Sequence, residues 1–434
     1  MSKIIRYLDY IIYGSIILIP FFVSIAPAPV NILIGFSAVS FVTKKVLKKE
    51  RLFTNTPLNI PLLLLFLITC LSFLNSVNYF DTLKGGVFRL IKYILIFFIM
   101  VEEVRNPRHI KRIIFAISAG IILASFDGIW QVFVGRDFIR GYVPMLSIGF
   151  VRATASFKDP NTLGIYLSAI APLIFGLNLY YFKEKKRMAM FFLSLIALIG
   201  IALTYSRPTL LAVYAAVFFL GWVKKNRVLV TLLIVAMFIA PFIAPKSVKD
   251  WARQVNYNPL RFMCNDDRIA IYQNSLNMIK AHPIIGVGAN TFMKNYKKYK
   301  IYPQYRDAVT ADYVYAHNNF LHMAAEIGLI GLGFFIWLLY KLFVECKNIY
   351  RKLDDNYLKI VSLSLSACLI AFLVNGLTES SLYSSRVATI FWYIMGLALA
   401  LNKFTPLETT GRQEKDKVSL TGFTPSYMQE KGIY

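Results

Sequence analysis

Acidic side chains are scarce: 23 Asp and Glu stand against 48 Lys and Arg, giving a formal net charge of +25. Charge of either sign makes up only 16% of the 434 residues, whereas 57% are hydrophobic. A soluble fold of this length needs far more polar surface, so most of the chain must face lipid or other apolar helices. The four cysteines, Cys70, Cys264, Cys346 and Cys368, form no C-x-x-C pair. That scatter argues against a disulfide framework, a thiolate metal site and redox chemistry. No convincing internal repeat is visible, which weighs against a transporter built from duplicated halves.

What is present is apolar and long. Windows of about 19 residues, the length that spans a hydrocarbon core, pick out twelve segments. They lie near 8–26, 28–43, 57–77, 85–101, 112–131, 161–182, 188–205, 208–223, 228–244, 318–345, 358–376 and 386–402. The expectation is an all-α polytopic membrane protein, with a helical bundle over 1–402 that includes a loop subdomain at 245–317. Lys3 and Arg6 precede the first apolar run as in a signal sequence, but Pro27 and Pro29 interrupt the region where cleavage would fall. A retained first helix is expected.

Charge orients the bundle. Counted from an inside N-terminus, the even gaps are basic, from Lys44-Lys45-Val46-Leu47-Lys48-Lys49 to Lys183-Glu184-Lys185-Lys186-Arg187 and Lys224-Lys225-Asn226-Arg227, as cytoplasmic loops should be. The polar segment 403–434 reads as a flexible cytoplasmic tail. The odd gaps then face outward and collect the unusual residues: Arg152 and Lys158 in the loop 132–160, Ser206-Arg207, Arg268 and His317 in the loop 245–317, and Glu379. Purely structural residues should divide between the two faces, so this segregation points to one extracytoplasmic site.

The loop 245–317 carries eleven Lys or Arg against five Asp, a balance that attracts anionic material. Asp266 and Asp267 can cap a helix running to about Lys280, with Tyr272, Leu276 and Ile279 on one face. Gly286, Gly288 and Asn290 read as a turn. The tyrosines at 296, 299, 302, 305, 313 and 315 suit either stacking on sugar rings or an interfacial aromatic belt.

The most informative stretch begins at His317-Asn318, followed after nine residues by Gly328-x-x-Gly331 at the start of a long apolar run. This spacing, together with Arg152-Ala153-Thr154-Ala155-Ser156-Phe157-Lys158-Asp159-Pro160-Asn161-Thr162-Leu163-Gly164, Leu203-Thr204-Tyr205-Ser206-Arg207 and His282-Pro283-Ile284-Ile285-Gly286-Val287-Gly288, resembles the O-antigen ligase and polymerase superfamily. The motifs cover roughly 150–400. The His-Asn-x9-Gly-x-x-Gly spacing resembles the ligase branch, whereas the Ser-Arg and Pro-x-x-Gly-x-Gly pieces are shared across the superfamily. Pro208, directly after Arg207, departs from the small residues more usual there and could tilt the helix it enters.

The resemblance implies a glycosyltransferase in the bacterial inner membrane with a periplasmic active site. It would move O-antigen glycan from undecaprenyl pyrophosphate to a sugar hydroxyl of the lipid A core. Membrane lipids are further expected partners; nucleic acid is not one. A sugar hydroxyl is a poor nucleophile until a base removes its proton, which suits His317. A departing pyrophosphate gains charge that guanidinium groups can stabilise, making Arg207 and Arg268 candidates and Arg152 a third. Asn318 and Glu379 are candidate supporting residues. Arginines in that role leave no need for a divalent metal or another cofactor, and the outer loops contain no Asp-x-Asp pair, so metal-independent, inverting transfer is expected.

Each residue also has a structural alternative. His317 could be a helix-mouth histidine bonded to a carbonyl; Arg207 could snorkel to the interface; Arg268 could pair with the two aspartates before it; Arg152 could anchor its loop; Glu379 could end a helix in water. His322 lies about 140° around the helix from His317 and is better placed to pair with Glu326. Gly328 and Gly331 suit close helix packing. A polymerase using a second lipid-linked glycan, a protein-directed oligosaccharyltransferase and a glycolipid transporter remain as alternative functions.

Overall fold

A computed structural model describes residues 2–147, 150–243, 246–264, 266–301 and 314–406. Every one of the twelve apolar segments is helical: α1 (Ser2–Val23), α2 (Pro27–Lys48), α3 (Asn59–Leu71), α4 (Phe88–Glu103), α5 (Pro107–Val134), α6 (Pro160–Tyr180), α7 (Glu184–Ala202), α8 (Arg207–Val223), α9 (Arg227–Ile243), α14 (Asn319–Lys352), α15 (Asn356–Gly376) and α16 (Ser385–Ala400). Between α9 and α14 lie the shorter α10 (Lys246–Gln254), α11 (Pro259–Met263), α12 (Asp266–Ala281) and α13 (Phe292–Tyr299). Strands β1 (Met145–Ser147) and β2 (Phe150–Arg152) pair antiparallel, with Met145 opposite Arg152.

Helix existence and membrane crossing separate here. Seven of the described helices are long and apolar enough to span a bilayer, or eight if α9 and the helix bent by 90° after it form one span. The expected count of twelve spans is therefore not reached on length and apolarity. The region Asn59–Asn75 and α8 are apolar but short, α4 has only 16 residues and includes Arg89 and Lys92, and α7 opens on Glu-Lys-Lys-Arg.

Local sequence sets the helix starts. Proline occupies the first turn of α2, α5, α6 and α8, where its missing N–H forfeits no bond. Pro208 is one of these, placed in the first turn of α8. Side chains of Asn106, Asp159, Asn318 and Asp355 cap α5, α6, α14 and α15. The most buried layer is α6 with α15 and α16: 89%, 72% and 83% of their central windows are covered by protein. These helices lack an amphipathic stripe because apolar partners surround them on all sides.

Among the described residues, α14 is the long span that holds a non-helical residue. Gly328 has φ 74° and ψ 176°, breaking the ladder of backbone bonds. The groups released there are taken up by the segment 283–288: Val287 N donates to Ala325 O (2.9 Å), Gly288 N to Glu326 O (3.0 Å), and Leu329 N to Pro283 O (2.7 Å). A Cβ on Gly328 would lie 2.0 Å from Ile284 O, and one on Gly286 would lie 2.3 Å from the Glu326 carbonyl carbon. The glycines of the two sequence motifs thus serve one backbone contact. Gly331 differs, since the atoms nearest a Cβ there belong to the Ile327 side chain of its own helix.

In α12 the expected face is corrected. Leu276 is 44% exposed, and the buried side is Ala270, Ile271, Asn274, Ser275, Met278 and Ile279. Two polar residues sit on that face, Asn274 bonding Tyr296 Oη at 2.9 Å, so apolar periodicity pointed the wrong way. Of the tyrosines considered for sugar stacking, Tyr296 is buried, and the Tyr299 hydroxyl bonds His282 Nε2 at 2.7 Å. Tyr315 instead lies beside the His322 ring, 5.8 Å between centroids. Tyr302, Tyr305 and Tyr313 fall outside the described residues, as does the tail from residue 407 on; Lys403 itself donates to the carbonyls of Glu102 (2.7 Å) and Val104 (3.3 Å).

Candidate active site

The connections after α1, α3, α5, α7, α9 and α15 gather at one end of the bundle. Glu379, in the short connection between α15 and α16, is at the centre. One carboxylate oxygen receives Nη2 of Arg268 and Nδ2 of Asn161, the latter at 2.9 Å. The other lies 3.1 Å from Nδ1 of His317. Arg268 also donates to Thr378 O at 3.0 Å, so a single arginine grips both the backbone and the side chain of this connection.

Three asparagine and histidine side chains at the mouth of α14 fasten the same connection. Asn318 caps α14 through its carbonyl oxygen, bonding the N–H groups of Phe320 (2.9 Å) and Leu321 (3.0 Å), while its amide donates to Leu377 O (2.8 Å). Asn319 donates to Ser381 Oγ (2.7 Å) and accepts from Leu382 N (3.0 Å). His322 reaches Ser380 Oγ (3.1 Å) and Glu326 Oε1 (3.3 Å) and stacks on Tyr383 with ring centres 3.5 Å apart. Glu379 is therefore held from both sides, and its side chain is only 10% exposed.

His317 has φ 47°, in the left-handed region that non-glycine residues seldom adopt. Tyr272 of α12 donates to its carbonyl at 2.9 Å, which helps hold that conformation. The imidazole remains 34% exposed, so a substrate can reach it. With Nδ1–H directed at Glu379, the assigned tautomer leaves Nε2 with a free lone pair.

Arg152 enters through the hairpin. Its Nε donates to Thr204 O (2.9 Å) and its Nη2 to Asn161 Oδ1 (2.7 Å), while Ala153 N bonds Leu203 O (2.9 Å). The hairpin is thereby laid against the turn that leads into Arg207. Arg207 donates to Phe262 O, its guanidinium lies 5.4 Å from the centre of the Phe262 ring, and the charges of Arg268 and Arg152 both act on it. The structure thus brings Arg152, Arg207, Arg268, His317, Asn318 and Glu379 to one place. Lys158 stands apart, exposed and 5.1 Å from the Tyr142 ring centre.

Electrostatics follow from that crowding. Burial alone would raise the pKa of Glu379, but Arg268 and the His317 contact outweigh it and hold the carboxyl below its ordinary value. Burial works against the charge on Arg268, and Glu379 overcomes it. For Arg152, burial and the neighbouring Arg268 prevail over the attraction of Asp159 and Glu379, lowering its pKa. The Tyr272 hydroxyl is pushed up, first by burial and then by Cys264, so it stays a neutral donor.

The sequence reading missed Asn161, Asn319 and Tyr272 as members of this network. Asn161 lay inside the motif around Arg152, yet nothing in the spacing showed that it would bridge Arg152 to Glu379 across more than two hundred residues. Arg268 reaches Glu379 and Thr378 O, partners the sequence reading did not name for it. Asp266 lies 3.4 Å from Arg261.

Comparison with known families adds one finding. A family model described as O-antigen ligase matches residues 189–336, which contain Arg207, Arg268, His317 and both glycines of the α14 break. That region is similar to the O-antigen ligase family. No curated protein matches the chain.

Proposed function

We propose that the protein is an O-antigen ligase, transferring a glycan from undecaprenyl pyrophosphate to a sugar hydroxyl of the lipid A core on the periplasmic side of the inner membrane. The observation that carries the reading is the sharing of Glu379 between a base and a cation: one carboxylate oxygen faces His317 Nδ1, and the other faces Arg268.

In this reading the acceptor hydroxyl hydrogen-bonds to Nε2 of His317, the nitrogen not facing Glu379. As the acceptor oxygen attacks the anomeric carbon, its proton passes to Nε2, and Glu379 stabilises the imidazolium that forms. The anomeric carbon–oxygen bond breaks, and its electron pair leaves with the pyrophosphate. Arg152, Arg207 and Arg268 stabilise the charge developing there, as fixed donors do in a partly dehydrated pocket. Among the described residues these three guanidiniums converge, a concentration of positive charge suited to a pyrophosphate. Attack opposite the leaving group inverts the anomeric centre, and the guanidiniums take the charge-stabilising place that a divalent ion holds in other transferases. Asn318 and Asn161 act through Glu379 and Arg152.

The test is in vitro transfer by purified protein, supplied with a defined undecaprenyl-pyrophosphate glycan and, separately, lipid A core or a second copy of the donor as acceptor. Product on lipid A core, undiminished by chelator, supports the ligase. Product only on the second donor makes the protein a polymerase, and no product with either donor–acceptor pair contradicts the proposal.

A further inference from the structure

At the end of the bundle opposite the arginine cluster, a cleft of about 1290 Å³ opens between α5 and α7. Its floor is one stripe of α5, comprising Ile114, Phe115, Ser118, Ala119, Ile122, Leu123 and Phe126. From Lys111 to Phe126 this stripe measures about 22 Å at 1.5 Å per residue. That length covers half of a hydrocarbon core roughly 30 Å thick, together with the headgroup layer beside it.

The mouth of the cleft has a different character from its floor. Lys111, Lys183, Lys185 and Lys186 line it, against the single carboxylate Glu184. Tyr181 and Tyr357 stand among them, with their rings 4.9 Å apart and Lys111 Nζ 5.5 Å from the Tyr357 ring centre. An apolar channel of this size within a bilayer fills with acyl chains, because an empty one would forfeit dispersion contacts along its whole lining. Four ammonium groups at the level of the headgroups select for charge there.

We infer that this cleft is a binding site for an anionic phospholipid, with an acyl chain along α5 and the phosphate among Lys111, Lys183, Lys185 and Lys186. The site is separate from the arginine cluster, and its occupant is a lipid of the surrounding leaflet rather than a glycan donor. Basic pockets between transmembrane helices hold acidic headgroups for the same reason.

Native mass spectrometry of the full-length protein, exchanged into micelles with equal phosphatidylglycerol and phosphatidylcholine, tests the inference. The wild type should retain phosphatidylglycerol with at least tenfold preference. The triple variant K183Q/K185Q/K186Q, which alters only exposed side chains, should lose most of that preference, at roughly fivefold per lysine. Ala119→Trp, which obstructs the floor and leaves the lysines in place, should reduce retention of both lipids. A control, K347Q/R351Q, removes basic charge at the same end of the bundle and should leave the preference unchanged. Equal retention of the two lipids by the wild type, an equal loss in the control, or preferential retention of a polyprenyl phosphate over phosphatidylglycerol would overturn the assignment.

Discussion

Buried charge collects at both ends of this bundle, and the two ends balance it differently. At one end Lys44 Nζ lies 2.5 Å from Asp9 and 2.7 Å from Glu103, and Lys45 pairs with Glu102 and, at 3.2 Å, with Glu50. Lys44 and Lys45 are each matched by two carboxylates, so these pairs are satisfied within the protein and tie α1, α2 and α4 together. At the other end Arg152 and Arg268 gather by Glu379, close enough to Arg207 for both of their charges to act on it, with Asp159 already engaged as the cap of α6. A balanced cluster is a fastening; an unbalanced one, next to a half-exposed imidazole, is suited to an anion.

Arg386 sharpens the contrast within the second end. Its guanidinium donates to Val23 O (2.7 Å), Ser156 O (2.8 Å) and Ser156 Oγ (2.8 Å) and lies 3.4 Å from the Phe157 ring centre. These three bonds join α1, the hairpin connection and α16. The charge of an arginine therefore does not mark function; its partners do.

Substitutions at the two ends should separate activity from stability. The largest effect is expected from His317→Ala, which should lower transfer by about 10²–10⁴-fold while leaving donor binding nearly intact, measured by product formation beside donor titration. Arg268→Lys keeps a charge but loses the forked grip on Glu379 and Thr378; a fall of about 10²–10³-fold in transfer is expected. At the balanced end Lys44→Ala should do the reverse. It removes one of the two cations that hold Glu103 and leaves Arg105, costing about 1–3 kcal/mol of stability by denaturation, with the specific activity of the folded fraction retained.

Smaller effects test the scaffold. Gly328→Ala should destabilise by about 1–3 kcal/mol, because φ 74° is strained for alanine and its Cβ meets Ile284 O; a thermal melt reads this directly. Glu379 gives the mildest signal and a definite sign. Its folded pKa is depressed, so its contribution to stability is full above the ordinary carboxylate value and is lost as pH falls through the lower folded value. Melting temperatures between pH 6 and pH 3 should therefore fall further for the wild type than for Glu379→Gln.

Much of this was legible from the chain. Apolar windows located all twelve long helices because lipid and buried helix faces demand the same side chains, yet that equivalence is also why windows alone do not count spans: the region of α3 is apolar but short, as is α8. His317, Arg207 and Arg268 could be named from motif spacing. Their mutual geometry could not, since it runs through Asn161 and Glu379, residues separated from their partners by the whole bundle. The glycine break was visible as Gly328 and as Pro283-Ile284-Ile285-Gly286, but not as one contact, because backbone complementarity leaves no periodic trace. In α12 periodicity misled, the buried side carrying Asn274 and Ser275 instead of Leu276.

The central claim is that Arg207 and Arg268 act on one pyrophosphate, and a double-mutant cycle measures it most directly. Affinity for undecaprenyl pyrophosphate would be determined for the wild type, Arg207→Ala, Arg268→Ala and the double variant. A shared ligand predicts that the two losses couple by more than about 0.5 kcal/mol. Losses that add within that margin would contradict a single pyrophosphate held between the two guanidiniums.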